Sequence, residues 1–266
     1  MKMKKYIFIA VAGILALSAC SKIDDTQNAP RQMTFTAGYN EGGVTRATMN
    51  FSTKKVSFDA NDEISILSAN NTNTKFTTSA GGASATFSGT AMADTKFYAV
   101  YPYTAGLTLS GDVISGVVIP TSQWNALWGD YDANSGWDPK APIAYATTTG
   151  ASLQFHNLCA ILKIYTDHGL SGVTITISAN ENLAGTFSLD TSTGTLTATA
   201  GSKTVTIGSV KEYGDYLYIA IAPGDYTNFK VHAEAAFMGT PVERTKASVS
   251  FEAGKIYDLG TFKVEY

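Results

Sequence analysis

Short runs in which apolar and polar residues alternate recur along this chain, and that two-residue period marks strands with one buried face. Met33-Thr34-Phe35-Thr36 opens the series, and Ile64-Ser65-Ile66-Leu67 follows. Phe76 and Phe87 flank Ala80-Gly81-Gly82-Ala83, which predicts a hairpin. Lys96-Phe97-Tyr98-Ala99-Val100-Tyr101 predicts a strand stopped by Pro102, and a strong strand is expected from Leu153 to Tyr165. Val173, Ile175 and Ile177 then alternate with Thr174, Thr176 and Ser178. Phe187 and Leu189 lead into the turn Thr191-Ser192-Thr193-Gly194, with Leu196 resuming beyond it. Val205 with Ile207, Tyr216 to Ala222, Phe229 with Val231 and Ala233, Val249 with Phe251, and Ile256 to Val264 complete the set. No long amphipathic helix is legible. Many short strands joined by Gly- and Asn-rich turns predict an all-β sandwich architecture. Residues 33–266 are enough for one large sandwich or two of about 110 residues. The small polar stretch Thr147-Thr148-Thr149-Gly150 is the expected boundary, giving units over 47–149 and 150–266. Gln123 to Ala141 lacks clear alternation and reads as a loop.

The first residues follow a different logic. Met1-Lys2-Met3-Lys4-Lys5, an apolar run from Tyr6 to Leu17, and small residues before Cys20 predict a secretory signal peptide over 1–19. About a dozen apolar residues fall short of the roughly 20 that span a bilayer as a helix. Leu17-Ser18-Ala19-Cys20 resembles the lipobox of bacterial lipoproteins, in which Cys20 would be lipidated and become the new N-terminus. Acyl chains there would tether the protein through buried CH₂ groups at about 0.8 kcal/mol each. The polar stretch up to Gln32 reads as a flexible tether. Its acidic pair Asp24-Asp25 resembles the surface-export signals of some outer-membrane lipoproteins. Export and lipid anchoring are the expectation.

Charge adds little to suggest a polyanionic partner. The formal net charge is −3, and loss of Lys2, Lys4 and Lys5 with the leader makes it −6. No basic stripe appears, which argues against nucleic acid. Charged residues are 15% of the chain, against about 25% in typical domains, and Thr, Ser, Gly, Asn and Tyr carry the polarity instead. With Cys20 assigned to lipid, Cys159 stands alone in an apolar run and reads as a small buried hydrophobe. No disulfide framework or paired thiol metal site is available.

Candidate chemistry is sparse. His232 alternates with Lys230 and Glu234 on the polar side of a strand, His168 sits in Asp167-His168-Gly169, and His156 lies between Phe155 and Asn157. Each has a structural reading: a solvated surface, a turn and a local hydrogen bond. No nucleophile elbow, no His-Glu-x-x-His and no phosphate-binding glycine loop occurs, so an enzyme is not expected. Asp130-x-Asp132-x-Asn134 begins like a calcium loop, but Gly136 comes one position late and Ala141 stands where Glu would complete it. No metal or other cofactor is expected. Trp124, Trp128, Tyr131 and Trp137 share one loop and could stack on sugar faces, or could pin the loop onto the sandwich.

Several segments taken in order resemble the fimbrillin family, the subunits of type V fimbriae and related surface lipoproteins. They are the lipobox at Cys20, Val44-Thr45-Arg46-Ala47-Thr48, Phe97-Tyr98-Ala99-Val100-Tyr101-Pro102 and Ile119-Pro120-Thr121-Ser122-Gln123. Pro142-Ile143-Ala144, Phe155-His156-Asn157-Leu158-Cys159-Ala160-Ile161-Leu162-Lys163-Ile164 and Ala253-Gly254-Lys255-Ile256-Tyr257-Asp258-Leu259-Gly260 complete the match across nearly the whole chain. The resemblance implies two consecutive β-sandwich domains of transthyretin-like type. It also implies cleavage by an arginine-specific protease between Arg46 and Ala47, in the loop after the first strand. Loss of Gln32 to Tyr39, with Met33 and Phe35 on its apolar face, would leave an unpaired edge and an apolar groove. A strand from a neighbouring subunit would fill it by donor-strand exchange. The expected partners are therefore other fimbrial subunits, the processing protease and, through lipid, the membrane. The expected location is the outer-membrane surface or the fimbrium, with a role in structure and adhesion. Residues 20–46 would be the lipidated tether and removable strand. The rival reading is a lipid-anchored glycan-binding protein of an outer-membrane uptake system, using Trp124, Trp128 and Trp137.

Overall fold

A computed structural model describes residues 29–39, 48–50, 55–124, 141–167, 173–210, 216–235 and 240–263. Every helix or strand element among them is a strand, as the alternation predicts. In chain order these are β1 (Arg31–Tyr39), β2 (Thr48–Asn50), β3 (Lys55–Ser57), β4 (Glu63–Ser68), β5 (Asn71–Thr78), β6 (Ser84–Ala91) and β7 (Phe97–Tyr101). Next come β8 (Thr108–Ser110), β9 (Val113–Ile119), β10 (Ser122–Trp124), β11 (Ala144–Thr148), β12 (Ser152–Asn157), β13 (Ala160–Asp167) and β14 (Val173–Ser178). The last are β15 (Ala184–Asp190), β16 (Thr195–Ser202), β17 (Thr204–Val210), β18 (Tyr216–Ile221), β19 (Gly224–Ala235), β20 (Val242–Phe251) and β21 (Ile256–Lys263).

Seven strands close into a barrel in the order β1-β12-β11-β7-β4-β5-β6, with β6 returning to β1. Its interior is largely aromatic. Phe35, Phe58, Phe76, Phe87, Phe97, Tyr101 and Phe155 are buried there with Ile64, Ile66 and Leu153. Phe58 lies near the middle of this ring cluster, edge-on to Phe87 at 5.2 Å and to Tyr101 at 5.7 Å. Edge-to-face geometry suits the aromatic quadrupole and adds to the stabilisation from buried area.

A second core is enclosed by three sheets, ordered β10-β17-β14-β19-β20, β18-β13-β21 and β16-β15-β9-β8. Ile161, Leu162, Ile164, Ile175, Ile177, Phe187 and Leu189 belong to it. So do Leu67, Tyr98 and Val100, which lie on the barrel strands β4 and β7. In β7, Phe97, Ala99 and Tyr101 face the barrel interior, while Tyr98 and Val100 face the other core. All five residues are buried. A strand covered on both faces loses the polar half of its alternation, which is why this stretch reads as continuously apolar.

Sequence order and core membership cross one another. Strands β8 to β10 precede residue 150 but pair with one another or with β15 and β17. Strand β12 follows residue 150 but pairs with β1 and β11 in the barrel. The strong strand expected from Leu153 to Tyr165 is in fact two. It breaks at Leu158-Cys159, where the chain passes from the barrel to the second core. The backbone there is held locally: Leu158 N–H donates to Ile143 O at 2.9 Å, and Cys159 O accepts from Gly254 N–H at 2.8 Å. The side chains through the break are all apolar and buried, so hydrophobicity alone cannot register the change of partner.

Two expected turns are built by recognisable chemistry. Phe76 and Phe87 lie on β5 and β6, which pair at Thr77 with Ser88 and at Thr78 with Phe87. Between β15 and β16, Asp190 accepts hydrogen bonds from Ser192 N–H at 2.9 Å and Ser192 Oγ at 2.6 Å. This is the side-chain mimicry of a turn that Asp performs well, and Gly194 completes it with a φ of 72°.

Candidate functional site

Strand β1 combines a strongly built inner face with an outer face open to solvent. Met33, Phe35, Ala37 and Tyr39 point to the barrel interior at every second position. Phe35 and Ala37 are fully buried there, while Thr34 and Thr36 are exposed. The ring of Phe35 sits 5.5 Å from Phe76 and 5.2 Å from Phe97. Tyr39 stacks on Phe58 at 5.0 Å and tilts against Phe155 at 5.8 Å. Burying a phenylalanine of this kind contributes about 1.5–3 kcal/mol.

The two edges of β1 differ. Against β6 it runs antiparallel over eight pairs, from Arg31 opposite Ala91 to Gly38 opposite Ser84. Against β12 it runs parallel over four, from Thr36 opposite Ser152 to Tyr39 opposite Phe155. Thr36 N–H also donates to Ala151 O at 2.8 Å, just ahead of β12. Removing β1 would therefore strip the ladder partners from β6 and β12 and expose the rings that surround Phe35 and Tyr39. An edge of that kind is a template for another strand.

Strands β1 and β7 differ in how far each is tied into the molecule. Both carry the same inward triplet, Phe35, Ala37 and Tyr39 on β1 and Phe97, Ala99 and Tyr101 on β7. β7 also belongs to the second core through Tyr98 and Val100, so it cannot leave without opening both. β1 touches only one.

The free edges in the second core are partly closed by side chains. Gln123 is buried and clamps the backbone of Ala220 in β18: its Oε1 accepts from Ala220 N–H at 3.0 Å. Its Nε2 donates to Ala220 O at 2.7 Å and to Pro120 O at 3.1 Å. On β21, at the other side of the same sheet, Arg244 donates to Leu259 O at 3.0 Å and also to Thr261 O. Its guanidinium lies 4.2 Å from the centre of the Phe262 ring.

A polar junction joins the barrel to the second core. Asp112 Oδ1 accepts from Lys96 Nζ and from Tyr98 OH, each at 2.5 Å. Its backbone carbonyl accepts from Thr191 N–H at 2.9 Å and from Thr191 Oγ1 at 2.8 Å. The hydrogen bond to Lys96, then that to Tyr98, holds the Asp112 carboxyl below the usual range, and the same ion pair raises Lys96. Burial raises the Tyr98 phenol, assisted by its bond to Asp112. The residues come from distant parts of the chain, and no sequence signal links them.

Of the residues singled out in the sequence, Cys20, Arg46, Ala47, Trp128 and Trp137 lie outside the described residues, as do His168 and Asp130, Asp132 and Asn134. Trp124 ends β10, where its backbone pairs with Gly208 of β17. In sequence, Arg46 falls between the end of β1 at Tyr39 and the start of β2 at Thr48. Cys159 is buried, as expected, and burial pushes its thiol up to about 12. His232 lies on the polar side of β19, 3.7 Å from Glu234 and 3.5 Å from Glu243. His156 is exposed, beside the Tyr145 ring at 5.7 Å. Among the described residues no group of three or more His, Cys, Asp or Glu is placed to hold a metal ion.

No protein-family model matches the chain, and no curated protein matches it. Among solved structures it is similar to two proteins each described as a "putative cell adhesion protein". One, from Bacteroides ovatus ATCC 8483, superposes with a TM-score of 0.54 at 15% identity over 88% of this chain and 93% of its own. The other, from Bacteroides uniformis ATCC 8492, gives 0.53 at 17% identity over 88% and 94%. A fimbrial protein from Bacteroides ovatus ATCC 8483 matches 88% of this chain and 50% of its own, at 12% identity and a TM-score of 0.41. The first two likenesses establish a shared all-β fold over most of both chains.

Proposed function

We propose that this chain is a fimbrillin-like surface lipoprotein, a structural and adhesive subunit of a fimbria that assembles by proteolysis and strand exchange. Cys20 would carry the lipid, and an arginine-specific protease would hydrolyse the bond between Arg46 and Ala47. That cut frees β1 from the rest of the chain, and a strand of a neighbouring subunit takes its position. The observation that carries the reading is β1 itself. It fills a barrel with four inward side chains, yet its outward threonines bury nothing. The fold shared with the two solved proteins each described as a "putative cell adhesion protein" supports a place at the cell surface. A subunit that kept residues 20–46 would stay anchored to the membrane; one that lost them could polymerise.

The test is limited digestion of the unlipidated chain with an arginine-specific protease, followed by N-terminal sequencing and an unheated detergent gel. The expected result is a new N-terminus at Ala47 and a ladder of multimers. A chain that resists cleavage at Arg46 and stays monomeric would overturn the assembly reading.

A further inference from the structure

We infer that the place of β1 in the barrel selects its occupant by side-chain spacing and by direction. It accepts an extended strand from another subunit that presents an aromatic residue, a residue no larger than alanine and a second aromatic at alternate positions, running parallel to β12. This rests on the proposed strand exchange and specifies the partner that exchange would take.

The spacing follows from the walls. At the first position, Phe76 and Phe97 lie 5.5 and 5.2 Å from the Phe35 ring, so a large flat side chain fills the space and a small one would leave a void. At the second, Ala37 is fully buried and stands in register with Ala85 on one neighbour and Leu153 on the other. Both of those residues are themselves buried, and a larger side chain at position 37 would have to displace them. At the third, Phe58 and Phe155 receive the Tyr39 ring. The barrel uses the same Phe-x-Ala-x-Tyr spacing on β7, whose Phe97 ring meets Phe35 directly. Two walls of one interior thus follow one steric rule.

Direction follows from the mixed pairing. An occupant running as β1 does meets β6 antiparallel and β12 parallel. A reversed strand would run parallel along the eight-pair edge of β6 and antiparallel along the four-pair edge of β12, so most of its length would lie in the slightly less stable parallel ladder. Those ladders place their hydrogen bonds differently.

The experiment uses the nicked chain refolded from denaturant with labelled nine-residue peptides. A site for a second, sequence-specific protease inserted after Gly43 yields the nick even if Arg46 resists. The peptides are the 31–39 sequence, its Phe35→Ala and Ala37→Leu forms, a Thr34→Ser form altered only on the exposed face, and a parent form with a photo-crosslinker at its N-terminus. A crosslinker at the place of Arg31 reacts near Ala91 when the peptide runs as β1 does, and near Ser84 when it runs the other way. Capture is read as fluorescence anisotropy and as comigration in an unheated detergent gel. The parent and Thr34→Ser peptides are expected to bind alike, with Phe35→Ala and Ala37→Leu about tenfold weaker or worse and the crosslink falling near Ala91. Capture of the Phe35→Ala or Ala37→Leu peptide as firmly as the parent, or a crosslink near Ser84, would overturn the selectivity. So would failure to capture the parent. Resistance at Arg46 would instead sink the processing reading and leave this measurement intact in the inserted-site chain.

Discussion

The ring of Phe35 meets that of Phe97 edge to face, with centroids 5.2 Å apart and planes inclined at 64°. One ring belongs to the strand held through a single face, and the other to a strand buried on both. Truncating Phe35 to alanine should cost roughly 3–5 kcal/mol of stability in the intact chain, because the surrounding rings cannot collapse into the space. The exposed neighbour substitution Thr34→Ala should stay within about 0.5 kcal/mol. Urea denaturation midpoints of the two variants measure the contrast, and equal midpoints would mean that β1 is not anchored through its inner face.

Asp112 should make the junction between the cores sensitive to acid. Its folded-state pKa is depressed, chiefly by the hydrogen bond from Lys96 and next by that from Tyr98. A depressed carboxylate contributes stability above its unfolded pKa of about 3.9, and that contribution is lost as pH falls through the folded value. Wild type should therefore lose more stability between pH 6 and pH 3 than Asp112→Asn does. The variant keeps the backbone carbonyl that accepts from Thr191. Thermal melts across that range decide the matter, and parallel pH profiles would exclude Asp112 as a source of the acid sensitivity.

Gln123 satisfies both backbone groups of Ala220 from a buried position. Gln123→Ala would leave a buried N–H and C=O unpaired, a loss of about 1–3 kcal/mol for each group. It would also open the edge of β18 to other chains. A lower melting temperature together with earlier elution in size-exclusion chromatography is the expected pair of results. A lower melting temperature with an unchanged elution volume would confine Gln123 to stability.

Cys159 should be chemically silent in the folded protein. Burial pushes its thiol up to about 12, so almost no thiolate exists at pH 8. In a chain carrying Cys20→Ser, a thiol reagent should label Cys159 only once denaturant unfolds the second core. Rapid labelling of the native chain would show that the residue is reached by local opening.

How much of this could be read from the residues varies with the physical origin of each feature. Alternation reflects a strand with one wet face, so β1, β14 and β19 were legible from Met33 and Phe35, from Val173, Ile175 and Ile177, and from Phe229, Val231 and Ala233. The apolar face of the candidate strand was legible for the same reason. Alternation does not encode which sheet a strand joins. The run from Leu153 to Tyr165 reads as one strand because apolar buried residues continue through it, although Leu153 and Phe155 belong to the barrel and Leu158 and Cys159 to the second core. Strands β8 and β9 are not legible because Thr108 to Ile119 mixes short apolar pieces with Gly111 and Gly116. The Gln123 clamp is a contact between residues 97 positions apart, and a lone glutamine before a loop gives no hint of it.

The eight pairs between β1 and β6 lie side by side along one axis. A pull along that axis loads them in shear, all at once, whereas a pull across it would peel them apart singly. Any strand that occupies this position with the same register inherits that geometry. If successive subunits hold one another there, tension along a filament falls on a whole ladder and its row of buried rings at every joint.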